Sequence, residues 1–227
     1  MNTITAHETR SIPFLRTEID RLLFLSMLFS CLLTAARILY TGRLTFIGLS
    51  WNLFLAYIPY FISTKLEQKD KHGLGWWTMA LIWLLFIPNS FYITTDLYHL
   101  ADKHNDRLMP QWFDLALILS YAWNGILLGV LSVRQMERIF VPRQTLRSEL
   151  LFLYPVMWLN ALGIYIGRYL RYNSWDVVTD PFQLLRDIVA MVIHPLQHHN
   201  TWDMVLCFSI LMTLIYLMMK KISKALT

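Results

Sequence analysis

The sequence predicts an all-α, polytopic membrane protein with about six transmembrane helices and one external amphipathic helix. Apolar residues make up 56% of the 227-residue chain. They are gathered in six stretches of 17 to 21 residues each, and the polar residues between these stretches are unevenly distributed. A helix of about 20 apolar residues crosses a hydrocarbon core of roughly 30 Å. Each stretch is therefore predicted to be a transmembrane span.

The spans follow one another without a linker, a low-complexity segment or an internal repeat. We therefore expect a single transmembrane domain over residues 1–227, with residues 1–21 as an N-terminal tail on the cytoplasmic side. The predicted spans are Leu22–Thr41, Leu44–Ser63, Trp76–Thr95, Phe113–Val133, Leu150–Tyr169 and Asp203–Met219.

Basic residues indicate the orientation. The N-terminal tail, the second loop, the fourth loop and the C-terminal tail hold 13 of the 20 Lys and Arg residues. Loops on the cytoplasmic side of a membrane are enriched in Lys and Arg, so both termini are predicted to be cytoplasmic. This bias also accounts for the net charge of +5. Because no recognition motif accompanies the charge, we expect no nucleic-acid partner.

Proline and small residues predict how the spans pack. Pro88 removes a backbone donor and should kink span three next to Asn89. Pro59 and Pro155 should do the same in spans two and five. Spans two to five carry one amide each, which predicts hydrogen bonds between helices; these are Asn52, Asn89, Asn124 and Asn160. Gly163 and Gly167 form a face that favours close approach of another helix.

The segment 170–202 contains one further helix. Asp180 followed by Pro181 is typical of a helix N-cap and first turn. Pro195 should end this helix near His194. The helix is too polar to span, so it should lie in the outer interface or cover the mouth of the bundle. Its apolar stripe comprises Leu185, Ile188, Val189, Val192, Ile193 and Leu196.

Ionisable residues collect at the predicted outer ends of the spans. Asp96 and His99 are three positions apart and share a helix face, and Asp114 begins span four. These three are candidates for acid–base catalysis. Arginine side chains suit phosphate or carboxylate recognition. The ligand-binding candidates are Asn89, Arg168, Arg171, Asn173 and Asp176.

The alternative interpretation of this cluster is ion pairing. Arg168 and Arg171 would then neutralise Asp96 and Asp114 and connect three spans, since charges near lipid are commonly paired. A metal site is not predicted, because Pro195 disrupts the helical spacing of the histidines around it. The sequence has no Gly-rich phosphate loop or other cofactor motif, so no cofactor is predicted.

Several of these pieces resemble the uncharacterised bacterial multi-pass membrane family known as "domain of unknown function 1361". The resemblance runs from about residue 45 to the last span. It is carried by Trp51 to Ala56, Pro88 to Leu100, Trp112 to Leu115, Trp123 to Gly125 and Arg168 to Asp176. It implies a bacterial membrane protein and brings no activity or site residue with it.

The sequence leaves three functions open. The first is an outward-facing polar pocket for an anionic lipid or a lipid-linked envelope precursor, with or without catalysis. The second is a structural or accessory subunit of a cell-envelope complex, with protein partners unknown. The third is a small secondary transporter, which the lack of a repeat disfavours. In each case the bilayer itself is the expected lipid partner.

Overall fold

The structure is a helical bundle without strands among its described residues. The computed structural model describes residues 18–68, 73–101, 108–141, 145–172 and 179–225. The helices are α1 (Glu18–Thr41), α2 (Ile47–Glu67), α3 (Leu74–Phe86), α4 (Pro88–Tyr92), a 3₁₀-helix (Ile93–Ala101), α5 (Gln111–Phe140), α6 (Leu146–Arg168), α7 (Pro181–Ile193) and α8 (His199–Ala225).

Five helical segments of the described chain are long and apolar enough to cross a membrane. They are Glu18–Thr41, Leu74–Leu100, Gln111–Phe140, Arg147–Arg168 and His199–Ala225. The all-α membrane fold is therefore confirmed. Helix α2 is not among the five, although its 21 residues give a length of about 31 Å. Its amide, hydroxyl and phenol groups lower its mean hydropathy. The assignment of α2 as a span, which brings the number to six, therefore depends on its length and direction.

Consecutive spans run in opposite directions. Tyr60, near the end of α2, donates to Asp20 near the start of α1 at 2.7 Å. Asn52, near the start of α2, contacts Asp96 at the end of the third span. Lys220, near the end of α8, pairs with Glu149 near the start of α6. The start of α1 and the end of α8 therefore share one side of the bundle. We call this the Lys220 side and the opposite one the Arg168 side.

The third span breaks at Pro88, as predicted. Helix α3 ends at Phe86, α4 begins at Pro88, and the chain continues as a 3₁₀-helix from Ile93. Proline lacks an N–H group, so the Leu84 carbonyl loses its helical donor. The Asn89 side-chain amide donates to the Phe86 carbonyl oxygen at 3.0 Å. Helices α2 and α6 continue through their own prolines without such a break.

Glycines allow the short helix α4 to lie between α5 and α6. A Cβ on Gly125 would lie 2.4 Å from the backbone oxygen of Ser90, and one on Gly163 would lie 2.6 Å from Cγ of Pro88. Gly129 and Gly167 face α4 in the same way. The small-residue face predicted on α6 is therefore occupied by α4, which α5 contacts through an equivalent face.

Helix α7 follows the predicted boundaries but presents its apolar residues differently. Asp180 caps it by accepting from the Gln183 N–H at 3.4 Å, and it ends at Ile193. The residue that it buries against the bundle is Met191, which the predicted stripe does not contain. Most of the predicted stripe is exposed on the protein surface, namely Leu185, Val189, Val192 and Ile193. The helix therefore has one apolar side toward the bundle and another facing away.

Candidate functional site

Asp96 lies at the centre of the candidate site on the Arg168 side. It is 2% exposed although it carries a carboxylate. Its Oδ2 accepts from the Asn52 amide at 3.1 Å, and its Oδ1 accepts from Arg168 at 2.9 Å. The 3₁₀-helix aligns residues three apart, and His99 Nε2 lies 3.7 Å from Oδ1 of Asp96. The structure thus brings together three predicted site residues, Asp96, His99 and Arg168.

The Arg168 guanidinium is held from several directions. One terminal nitrogen contacts Asp96 and the Tyr92 hydroxyl, and the other donates to the Thr95 carbonyl oxygen at 2.9 Å. The guanidinium carbon lies 5.7 Å from the ring centre of Tyr92 and 5.8 Å from that of Tyr98. Cation–π contacts of this length add to the ion pair. Arg168 and Asp96 therefore close on each other, and neither is among the residues that line the groove described below.

Asp114 has a buried partner that the sequence did not predict. It pairs with Arg37 of α1 through two hydrogen bonds, at 2.7 and 3.2 Å, and both side chains are buried. The Arg37 guanidinium also lies 4.6 Å from the ring centre of Phe46. Arg37 is the only charged residue inside the predicted first span. An isolated charge in a span requires a partner, and this signal could have identified the pair.

The other ligand-binding candidates have different outcomes. Arg171 does not share a face with Arg168, because α6 ends at Arg168. It is exposed and has a φ of 61°. Asn89 is half-buried and lines the groove described next. Asn173 and Asp176 lie outside the described residues.

A groove of about 320 Å³ runs between α2, α3, α4, α6 and α7. This volume is at the lower end of the range for ligand pockets, roughly 300–1,000 Å³. Its lining is mostly apolar, with two amides and two phenols. The lining residues are Trp51, Asn52, Leu55, Leu84, Leu85, Pro88, Asn89, Tyr92, Leu159, Leu162, Gly163, Ile166, Gly167, Tyr172, Leu184 and Ile188.

The groove adjoins the Asp96–Arg168 pair through shared residues. Asn52 lines the groove and donates to Asp96, while Tyr92 lines it and contacts Arg168. The ion pair therefore fixes two polar groups of the groove wall. Arg168 and Asp96 position these residues and do not line the groove.

Helix α7 covers the groove at its Arg168-side end. Leu184 and Ile188 contribute to the lining. Two hydrogen bonds hold the helix there. The Tyr172 hydroxyl donates to Asp187 at 2.8 Å, and the Trp202 indole of α8 donates to the Met191 carbonyl oxygen at 3.2 Å. The expectation that this helix covers part of the bundle mouth is consistent with this position.

A second charged cluster lies on the Lys220 side and was not predicted. Glu137 of α5 accepts from Lys220 and from the Tyr216 hydroxyl, each at 2.7 Å, and it also accepts from Arg134. Lys220 also contacts Glu149 of α6 at 2.9 Å. Glu137 and Lys220 lay outside the predicted spans because α5 and α8 are longer than expected. The longer helices place both charges inside the bundle.

The described residues hold no group of three or more His, Cys, Asp or Glu side chains that could bind a metal ion. Both cysteines, Cys31 and Cys207, are free thiols. No cofactor site is evident in the geometry described above.

Comparison with known families identifies the chain's family. The profile of the family described as "Protein of unknown function (DUF1361)" matches residues 51–215. The chain therefore belongs to this family, and the resemblance in its sequence pieces is confirmed. No curated protein and no solved structure matches the chain.

Proposed function

We propose that this member of the DUF1361 family binds an anionic lipid or a lipid-linked envelope precursor in the groove between α2, α3, α4, α6 and α7. The observation that supports the proposal is the groove itself, whose walls are apolar and whose polar groups are few and fixed. Ligand pockets typically combine an apolar lining with a small number of positioned polar groups.

Among the described residues, the Arg168-side end of the groove carries one exposed cation, Arg171, and one carboxylate, Asp187, which already accepts from the Tyr172 hydroxyl. Arg168 is neutralised by Asp96, so it contributes little net charge. Arg171 is exposed immediately before Tyr172, which lines the groove. No described carboxylate pairs with Arg171. Its side chain is the available cation for a phosphate or carboxylate that projects from the groove.

Filling the groove should displace the ligand. Leu84 lines the groove, whereas Leu81 on the same helix is 57% exposed and does not line it. We expect Leu84→Trp to reduce co-purified lipid about tenfold, which corresponds to roughly 1.4 kcal/mol, because the indole would occupy the groove. Leu81→Trp should leave the lipid content unchanged. Native mass spectrometry of the detergent-purified proteins measures both. Equal lipid content in the wild type and in both variants would refute the proposal.

The proposed site faces outward from the bacterial cytoplasmic membrane, with both termini in the cytoplasm. The 13-to-7 division of Lys and Arg residues supports this orientation. In a background in which Cys31 and Cys207 are replaced by alanine, Arg147→Cys and Asn200→Cys should react from opposite sides. A membrane-impermeant maleimide applied to intact cells should label Asn200→Cys alone. Labelling of Arg147→Cys would reverse the orientation.

A second candidate function is that of a structural subunit. The closed Asp96–Arg168 pair favours it, because the pair connects the 3₁₀-helix to α6. Arg168→Gln should leave Asp96 buried without its cation and lower the free energy of unfolding by about 3–5 kcal/mol. Asp96→Asn combined with Arg168→Gln should recover more than half of that loss.

Stability and lipid content measured together distinguish the two functions. A double variant that regains stability and keeps the wild-type lipid content assigns the pair a purely structural role. A double variant that regains stability but loses the lipid supports the binding function. If stability is not recovered, the pair is not a simple ionic connection. Arg168→Lys adds a control that keeps the charge but loses the planar fork.

A further inference from the structure

We infer that the ligand of the groove is a single-chain amphiphile that enters sideways from the outer leaflet, with its chain directed toward the centre of the bilayer. This inference rests on the proposed function and specifies its ligand class. Three features of the groove carry it: the order of its polar groups, the direction of its opening and its size.

Most of the polar groups of the groove lie toward its Arg168-side end. Its deep end, nearest the middle of the spans, is lined by Leu84, Leu85 and Leu159. Its other end, near the Arg168 side, is lined by Asn52, Tyr92 and Tyr172. A lipid of the outer leaflet has the same polarity, since its headgroup faces outward and its chain faces inward. The groove therefore matches an outer-leaflet amphiphile in its normal orientation.

The groove opens toward lipid. Three apolar lining residues from three different helices are exposed on the protein surface, namely Trp51, Leu85 and Leu159. Leu85 and Leu159 lie within helices that are long and apolar enough to cross a membrane, so their exposed surface faces hydrocarbon. Leu184 and Ile188 of α7 cover the Arg168-side end, where water would otherwise enter. A ligand that already resides in the bilayer can enter without crossing the water layer.

The size of the groove admits one chain. Its volume of about 320 Å³ lies near the lower limit for ligand pockets, and a second chain of equal length would need about twice that space. The groove cannot easily widen between α4 and α6, because Pro88 packs directly against Gly163. Two-chain phospholipids are therefore disfavoured.

Photolabelling of the full-length protein in phosphatidylcholine vesicles tests the inference. One probe is a long-chain alkyl phosphate with a diazirine at the chain end, and a second carries the diazirine beside the phosphate. A third is phosphatidylglycerol with a diazirine at the end of one chain. Peptide mapping should place the chain-end label near Leu84 and Leu159, and the phosphate-side label near Asn52 and Tyr172. Leu84→Trp should lower both labels about tenfold, and Leu81→Trp should not.

Each other outcome has a defined meaning. If phosphatidylglycerol labels the groove as strongly as the alkyl phosphate does, the ligand is not restricted to single-chain amphiphiles, although lipid binding itself is supported. Labels in the reverse order would overturn the orientation. Excess inorganic phosphate should not compete, and if it does, the site recognises a free anion and not a lipid. If no probe labels the groove, both the inference and the proposed function fail.

Discussion

Replacing Lys220 with methionine is expected to lower the free energy of unfolding by at least about 3–5 kcal/mol. The Lys220 side chain is 3% exposed, and its ammonium lies between the carboxylates of Glu137 and Glu149. Removing it leaves two carboxylates close together inside the bundle. Arg134 and Tyr216 still donate to Glu137, but neither donates to Glu149. Burying a charge without a partner is among the most destabilising single changes.

The neighbouring lysine provides a matched control. Lys221→Met makes the same chemical change at an exposed position one residue later, and its effect should stay within about 0.5 kcal/mol. Denaturant titration in detergent, followed by tryptophan fluorescence, measures both variants. A Lys220→Met protein as stable as Lys221→Met would show that the cluster contributes little to stability.

Gly125→Ala should also destabilise the protein, by about 1–3 kcal/mol, the usual range for overpacking. The added methyl group would lie 2.4 Å from the Ser90 carbonyl oxygen. That oxygen belongs to the backbone of α4, so relief requires moving the whole short helix. The better helix propensity of alanine, worth about 1 kcal/mol, does not offset the clash.

The control for this substitution has the opposite expected sign. A Cβ at Gly48 of α2 would meet no atom within 4 Å, so Gly48→Ala should be neutral or slightly stabilising. Thermal unfolding of the two variants in the same detergent compares them directly. If Gly125→Ala unfolds at or above the temperature of Gly48→Ala, α4 is not held tightly between α5 and α6.

The fold was largely predictable because its signals are local. The lengths of the apolar stretches predict the spans, Pro88 predicts the break in the third span, and Asp180 with Pro181 predicts α7. The ends of the helices were predicted less accurately, because each span was ended at the charged residues that mark the membrane boundary. Helices α5 and α8 instead continue past this boundary, where Glu137 and Lys220 neutralise each other.

The candidate site was only partly predictable, because pairing between helices depends on tertiary geometry. Several carboxylates lie at the same membrane depth as each arginine, and the sequence does not indicate which of them is its partner. Arg37 and Asp114 are 77 positions apart, and spacing on one helix carries no information about that contact. Arg168 and Asp96 were correctly associated, whereas the groove beside them depends on which faces of α2 and α6 meet.

The positions of the two charged clusters relate the protein to the thickness of its bilayer. Glu149 and Arg168, at opposite ends of α6, are 19 positions apart, which is about 28 Å along a helix. A hydrocarbon core is roughly 30 Å thick. Each cluster therefore coincides with one boundary of the hydrocarbon, and α6 is fixed to its neighbours at both. Tilting of α6 alone would break one cluster, so a thinner or thicker membrane must be accommodated by the lipids or by tilting the whole bundle.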